Sequence, residues 1–245
     1  MKKIVFVAIS CMFFSFAFSQ ETPSESTPNT QNIKITNRPA DHLMIQLSSD
    51  HLSGMTDSIS SHQKGFSRGF NAYFMLDKPF KSSPKYSIGF GLGISTSSIT
   101  FSKMNIDLKS TSATLPFSGV DGSNHFKKYK LAISYLEIPV EFRFTAKPSS
   151  VNKSLKAALG IKVGTLVNAH TKGKNLMDKN GNLLNSYTEK ENSKRFISSQ
   201  RFMATARIGY GVFSLFGAYQ INTLLKQGAG PTMNLYQVGI TISGL

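Results

Sequence analysis

Between residues 86 and 95 bulky apolar and small residues alternate without a break. Tyr86, Ile88, Phe90, Leu92 and Ile94 fall on one side, and Ser87, Gly89, Gly91, Gly93 and Ser95 on the other. A period of two belongs to a β-strand, whose successive side chains leave on opposite faces; a helix would spread the same residues around its circumference. The template recurs with Leu136, Ile138, Val140, Phe142 and Phe144 set against Glu137, Pro139, Glu141 and Arg143. It recurs with Ala157, Leu159, Ile161 and Val163 against Lys156, Ala158, Gly160, Lys162 and Gly164, and with Tyr236, Val238, Ile240 and Ile242 against Gln237, Gly239, Thr241 and Ser243. Weaker repeats stand at Leu43/Ile45/Leu47, Phe66/Phe70/Ala72/Phe74, Ala204/Ala206/Ile208/Tyr210 and Phe213/Leu215/Gly217/Tyr219. Eight strands are predicted.

Their connections alternate in length. Residues 53–65, 98–128, 170–200 and 222–234 form long connections, whereas residues 77–85, residues 145–154 and a tight turn at Gly211 form short ones. Long and short connections therefore fall at opposite ends of the sheet. This predicts an all-β fold, an eight-stranded antiparallel up-and-down transmembrane β-barrel with short periplasmic turns and long outer loops. A water-soluble barrel has the same period but turns its apolar face inward. Here the opposing face is mostly Gly, Ser and Ala, a poor water-facing strand surface but one that fits a narrow lumen.

The start of the chain has a different pattern. Lys2 and Lys3 precede an apolar run over residues 4–18 that ends in Ala17-Phe18-Ser19, the pattern of a secretory signal peptide over residues 1–19. Residues 20–40 are rich in Thr, Ser, Pro, Asn and Gln and read as a flexible periplasmic tail, leaving residues 41–245 for the barrel. Cleavage would remove Cys11, the one cysteine of the 245 residues, and would take Lys2 and Lys3 from the formal charge of +15, leaving +13. A chain with no thiol suits an oxidising envelope.

Alternation assigns Glu137, Glu141, Arg143, Lys156, Lys162 and Arg207 to the lumen side, with Arg68, Asn71 and Tyr73 joining them if the second strand keeps register. Buried ions must be paired to offset desolvation, so these residues read as a lumen filled by salt bridges. A hydrolytic carboxylate pair is the competing use of Glu137 and Glu141. Four residues along one strand separate them by about 13 Å, beyond the roughly 5–9.5 Å such pairs use. His42, His51, His62, His125 and His170 have no metal-ligand spacing and no nucleophile motif beside them, and no cofactor is expected. Residues 178–182, DKNGN, read as an Asn-Gly hairpin turn.

The positive charge is concentrated in two long connections. Residues 98–130 carry five Lys, including Lys103, Lys109, Lys127 and Lys128, against two Asp. Residues 170–201 carry seven cations, including Lys172, Lys174, Lys194 and Arg195, against three acids. These cations are not interleaved with a stacking platform, and an exported barrel meets no nucleic acid in its ordinary setting. Lipopolysaccharide phosphates and other outer-membrane lipid headgroups are the expected partners. With no Trp in the chain, Tyr73, Tyr86, Tyr210, Tyr219 and Tyr236 are candidates for the aromatic girdles.

The segment Tyr135-Leu136-Glu137-Ile138-Pro139-Val140-Glu141-Phe142 resembles the YLEIP strand of the PorT-like outer-membrane β-barrel family of Gram-negative, Bacteroidota-type bacteria. The glycine-rich strand at residues 89–95, Ala158-Leu159-Gly160, and Ile208-Gly209-Tyr210-Gly211 leading to Leu215-Phe216 and Tyr219 are similar to later elements of that family in order. The resemblance implies an eight-stranded barrel in the outer membrane; members are often labelled porin-like, and some serve in type IX secretion. The end of the chain, Ile242-Ser243-Gly244-Leu245, departs from the terminal aromatic that outer-membrane barrels often carry. Three functions are open to such a chain. The first is a non-enzymatic anchor or accessory subunit of an envelope complex, in secretion or outer-membrane assembly, that binds protein through its two long basic extracellular loops. The second is a small-solute porin, and the third a lipid-modifying enzyme.

Overall fold

The computed structural model describes residues 42–244 apart from residue 65. The expected signal peptide (residues 1–19), the expected tail (residues 20–40) and Leu245 lie outside the described residues. Eleven strands run in chain order: β1 (Leu43–Ser53), β2 (Arg68–Pro79), β3 (Tyr86–Phe101), β4 (Met104–Ile106), β5 (Phe117–Gly119), β6 (His125–Thr145), β7 (Leu155–Met177), β8 (Leu183–Asn192), β9 (Gln200–Tyr210), β10 (Phe213–Gln220) and β11 (Asn234–Ser243). A short α-helix, α1 (Asp57–Ser60), lies between β1 and β2, and a 3-10 helical segment, Pro148–Lys153, joins β6 to β7.

Eight of these strands close a ring. The antiparallel order β6-β3-β2-β1-β11-β10-β9-β7 is completed by pairing of β6 with β7. Closure leaves no open edge among the ring strands, so ladder groups in the wall pair with one another without water, apart from a break in the β3–β6 ladder at Gly91 and Leu92 and a bulge in the β6–β7 ladder at Ser134/Tyr135. The predicted strands are all present in their predicted order.

The apolar face is outside. Leu47, Phe70, Ile94, Leu136, Ile161, Phe202, Leu215 and Val238 are exposed, and together they form a belt around the ring. Tyr86 and Tyr210 border it at the short-turn end, and Tyr219 and Tyr236 at the other, as expected of girdle residues. Tyr73 is not among them: it is buried inside, bonded to Glu137. Leu159, near the middle of the belt, is 66% exposed on the protein alone. Leu159→Arg is expected to cost about 2–4 kcal/mol in a bilayer, as a cation does near the midplane. Urea titration in lipid vesicles reads this directly, and a change below about 1 kcal/mol would remove Leu159 from the hydrocarbon.

The long connections are more structured than the sequence predicts. β3 continues to Phe101, β6 begins at His125, and β7 runs on to Met177, where a hairpin adds β8 alongside it. The hairpin turns at Asp178, whose Oδ1 accepts from the Asn180 and Asn182 amides at 2.8 Å each, with Gly181 at φ 88°. The barrel wall thus projects well past its apolar belt, and the long-connection end is built largely from strands.

Across that projection the polarity of the wall inverts. On β6 the inward positions Tyr129, Leu131, Ile133 and Tyr135 are buried and apolar, while of the next four inward positions Glu137, Glu141 and Arg143 are buried and charged, with Pro139 between them. Outward positions do the reverse, from Lys128 and Lys130 to Leu136 and Ile138. The switch at Tyr135/Leu136 marks where the wall passes from water, which needs a polar outside, to hydrocarbon, which needs an apolar one. Ile99 and Phe101 on β3 repeat the inversion above the glycine-rich run.

Candidate functional site: the lumen and the long-connection end

The lumen within the belt holds two connected ionic groups. At the upper one, Arg201 donates from Nε to Glu137 Oε1 at 2.8 Å and from Nη2 to Ser95 Oγ at 2.6 Å. Tyr73 donates its hydroxyl to Glu137 Oε2 at 2.6 Å, and the Arg201 guanidinium lies over the Tyr135 ring at 4.2 Å. Asn71 joins Ser95 to Gln46, and Gln46 Oε1 accepts from Lys162 Nζ at 2.8 Å. Lys162 in turn lies over the rings of Tyr73 and Phe216. In the lower group Glu141 Oε2 accepts from Arg143 Nε at 2.9 Å and Arg207 Nη2 at 3.0 Å, and Arg143 reaches Asp77 at 3.5 Å. Lys156 is buried on the same inward face.

All six residues expected in the lumen are there. Alternation was a sufficient signal for them because parity alone decides the side. Glu137 and Glu141 each have their own arginines, so the structure does not bring them together as a pair. Arg68 is a correction. It shares the parity of Phe70, faces outward, and lies over the Phe66 ring at 5.6 Å. Arg201 is a second, since the sequence assigns it to the third long connection. It belongs to β9, is fully buried, and is the main partner of Glu137. Asp50, also fully buried, accepts from Ser48 Oγ and Gln237 Nε2; it too lay on the inward parity of a weakly patterned strand.

Space for these side chains comes from the glycines opposite them. Glu137 is flanked in register by Gly93 of β3 and Gly164 of β7, and Glu141 by Gly89 and Gly160. A methyl group at Gly164 would meet Glu137 Cγ at 2.8 Å, and one at Gly93 would run into the Tyr73 ring. The small-residue face is thus the room in which the ionic groups fit.

Above the belt the lumen is closed by an apolar core. Inward residues Leu52, Ile99, Phe101, Leu131 and Ile133 pack with residues from all four long connections: Ile59, Ile106 and Leu108, Phe196 and Ile197, and Leu224 and Leu225. Hydrogen bonds link these connections. Tyr135 OH donates to Ser198 O at 2.9 Å, Ser198 Oγ to Thr223 O at 2.7 Å, and the Leu115 amide to Ala229 O at 2.8 Å. His62 Nε2 pairs with Asp121 Oδ2 at 2.9 Å, and this contact holds the Asp121 carboxyl below its ordinary value.

The eight basic residues expected in loops divide into three groups. Lys127 and Lys128 lie on β6, and Lys172 and Lys174 on β7, so these four belong to strands rather than loops. A strand whose outer face is polar lacks the lipid-facing pattern, so the sequence predicts loop there. Lys103, Lys109 and Lys194 are in connecting segments. Arg195 ties the third connection to the second, donating from Nη1 to Ser110 O and from Nη2 to Thr111 O at 2.9 Å each. Of the histidines, His62 has Ser61 Oγ 3.2 Å from its Nδ1, and His51 has Ser49 Oγ 2.9 Å from its Nε2 with Tyr236 stacked on its ring. Among the described residues no carboxylate is bonded to the His51 imidazole, and no cluster of His, Cys, Asp and Glu has the makings of a metal site.

A closed ring with a lipid-facing belt, an ion-paired lumen and two unequal ends defines a membrane-spanning β-barrel. The family model described as outer membrane protein beta-barrel domain matches residues 18–223, and the chain belongs to that family. Among solved structures, it is similar to Ail, the attachment invasion locus protein of Yersinia pestis. Identity is 10% and the TM-score 0.32, over 82% of this chain and 94% of that one. A second structure of Ail, in complex with the heparin analogue sucrose octasulfate, matches at 12% identity and TM-score 0.29 over the same shares. No curated protein matches the chain.

Proposed function

We propose that this protein is a non-enzymatic outer-membrane barrel of the PorT-like kind. It would act as an anchor or accessory subunit of an envelope complex, with its long-connection end outside the cell. The observation that carries this reading is the apolar core over the lumen, to which all four long connections contribute. A barrel meant to pass solutes keeps its axis open. Here the axis is occupied twice, by Arg201, Tyr73 and Lys162 within the belt and by Phe101, Leu131 and Phe196 above it. A folded end of this size offers a shaped surface for a partner, and loops of such length are usually functional. The YLEIP strand supplies Glu137 and Glu141 to the ionic groups. Its resemblance therefore falls on residues that fill the lumen.

Purified protein in planar bilayers is expected to give no large, stable conductance steps, while crosslinking and affinity purification from native outer membranes is expected to return a defined complex. Stable open-channel steps in the native chain would overturn the reading in favour of a pore. The lipid-enzyme alternative has two hydroxyl–imidazole contacts in its support: Ser49–His51, with no carboxylate to orient the ring, and Ser61–His62, whose ring pairs with Asp121 but whose Nδ1 lies closer to the Ser58 carbonyl, at 2.7 Å, than to the Ser61 hydroxyl, at 3.2 Å. It predicts altered membrane lipids after His51→Ala or His62→Ala; the anchor reading predicts none.

A further inference from the structure

The outward face of the projecting wall differs from sector to sector. On β6 and β7, Lys130 stands opposite Lys172 and Lys128 opposite Lys174 in the ladder. Arg68 of β2 is in register with Ser98 of β3, and Thr100 of β3 with Lys130. These residues line an open pocket of about 490 Å³ with Phe66 along one wall. Among the described residues no carboxylate is within ion-pair distance of any of the five cations. The nearest acids on the added hairpin, Glu189 and Glu191, line a separate cavity with Asn105 and Thr171. The opposite sector has no such cluster: the connection from β10 to β11, residues 221–233, carries Lys226 as its one cation.

We infer that this sector of the outer wall is a binding site for the phosphorylated headgroup of a glycolipid in the surrounding leaflet, held by Arg68, Lys128, Lys130, Lys172 and Lys174. The position argues for a lipid rather than a soluble anion. The cluster is on the same face as the belt, so a headgroup bound there leaves its acyl chains against Phe70, Ile94 and Leu136 below. The outward residues in between on β3 and β6, Thr96, Ser134 and Ala132, are small or hydroxylated, while on β7 Asn168 and His170 stand beside Ser134 and Ala132 and are bonded to each other. Ammonium and guanidinium groups on β2, β6 and β7 can contact several phosphate oxygens at once, and the Ser98 and Thr100 hydroxyls of the intervening β3 add neutral donors. Lys130 already donates to Ser98 Oγ at 3.3 Å, which orients its ammonium within the pocket.

The local electrostatics agree with a missing counter-charge. Above the belt, burial and the neighbouring Lys172 and Arg68 hold the Lys130 ammonium below its ordinary value. Burial and the cations Lys190, Lys130 and Lys172 do the same to the His170 imidazole. Like charges gathered on one face repel, and a bound polyanion relieves that repulsion. This site is independent of the anchor reading, because it needs no protein partner and does not depend on whether the lumen conducts.

The test is binding to the full-length folded protein in detergent, read by native mass spectrometry. The probes are diphosphorylated lipid A, its dephosphorylated form and inorganic pyrophosphate. Lipid A is expected to bind, and the quadruple variant K128Q/K130Q/K172Q/K174Q to bind it about a hundredfold more weakly. The control variant K78Q/K81Q/K85Q/K147Q loses the same charge at the short-turn end and is expected to bind like the native chain. All eight positions are outside the lumen, and retained heat-modifiability on gels shows that each variant folds. Equal loss in both variants would show general charge attraction and overturn the site. Equal affinity for the dephosphorylated form would overturn the role of phosphate, and pyrophosphate binding as tight as lipid A would overturn the lipid.

Discussion

Replacing Glu137 by alanine is expected to destabilise the barrel by about 3–5 kcal/mol, the range for removing one partner of a buried ion pair. Arg201 would keep its charge in a fully buried site, with Ser95 Oγ as its remaining close oxygen partner and the Tyr135 ring beneath it. Tyr73 would lose its acceptor as well. The effect belongs to the orphaned cation rather than to the lost side chain, so the double variant E137L/R201M is expected to recover most of the loss. Buried pairs replaced together by apolar residues are often neutral. The chain has no Trp, so urea unfolding is best followed by heat-modifiability on gels or by Tyr fluorescence. A single variant within about 1 kcal/mol of the native protein would mean that water reaches Arg201 and that the lumen is open.

Phe101→Ala is expected to cost a similar amount, about 3–5 kcal/mol, as for other buried aromatic truncations. Phe101 is 2% exposed and packs in the apolar core above the belt, whereas Phe74 on β2 is 58% exposed on the lipid side. The two changes should also differ in where they act. F101A is expected to loosen the end formed by the long connections and open residues 102–124 to protease, with the belt strands still folded, because local stability follows local burial. F74A is expected to leave those cleavage sites protected. Protection unchanged in F101A would mean that the core above the belt does not hold the connections together.

Much of the fold was legible because a transmembrane barrel wall obeys one rule along its length. Hydrocarbon requires apolar side chains outside, and a ring this narrow leaves room inside mainly for small residues and a few paired ions. Where that rule was strong, as from Tyr86 to Ser95 or from Leu136 to Phe144, strand, face and lumen residues all followed from parity. Glu137, Glu141, Arg143, Lys156, Lys162 and Arg207 were found this way. Past the belt the rule changes sign. Tyr129, Leu131, Ile133 and Tyr135 alternate just as regularly on β6, but on the inward parity, while the outward parity fills with Lys and Ser. The lipid-facing pattern stops at Leu136, and residues 98–128 and 170–200 read as connections, so the projecting ends of β3, β6 and β7 were missed together with the core they enclose. Arg201 was missed for a related reason: it precedes Phe202 at a strand end whose first residues are polar.

The basic residues show the same division. Their excess in residues 98–130 and 170–201 is a property of the sequence. Which of them share a surface is not, because that depends on pairing between strands far apart in the chain. Lys128 and Lys130 meet Lys172 and Lys174 only through the β6–β7 ladder, and Arg68 joins them only because β2 and β3 close the ring beside β6. Arg195, of the same charge, is instead committed to the Ser110 and Thr111 carbonyls.

By itself, then, the order of residues determined the ring of eight strands, the lipid-facing side and the ions that face inward, since each depends on local alternation and on the solvent the wall must meet. The tertiary structure decided what alternation cannot encode: that Arg201 closes on Glu137, that four separate connections share one apolar core over the lumen, and that cations from distant segments converge on one outer sector. The physical reason is the same in each case, for these contacts join positions distant in sequence, and closure of the ring alone brings them within reach.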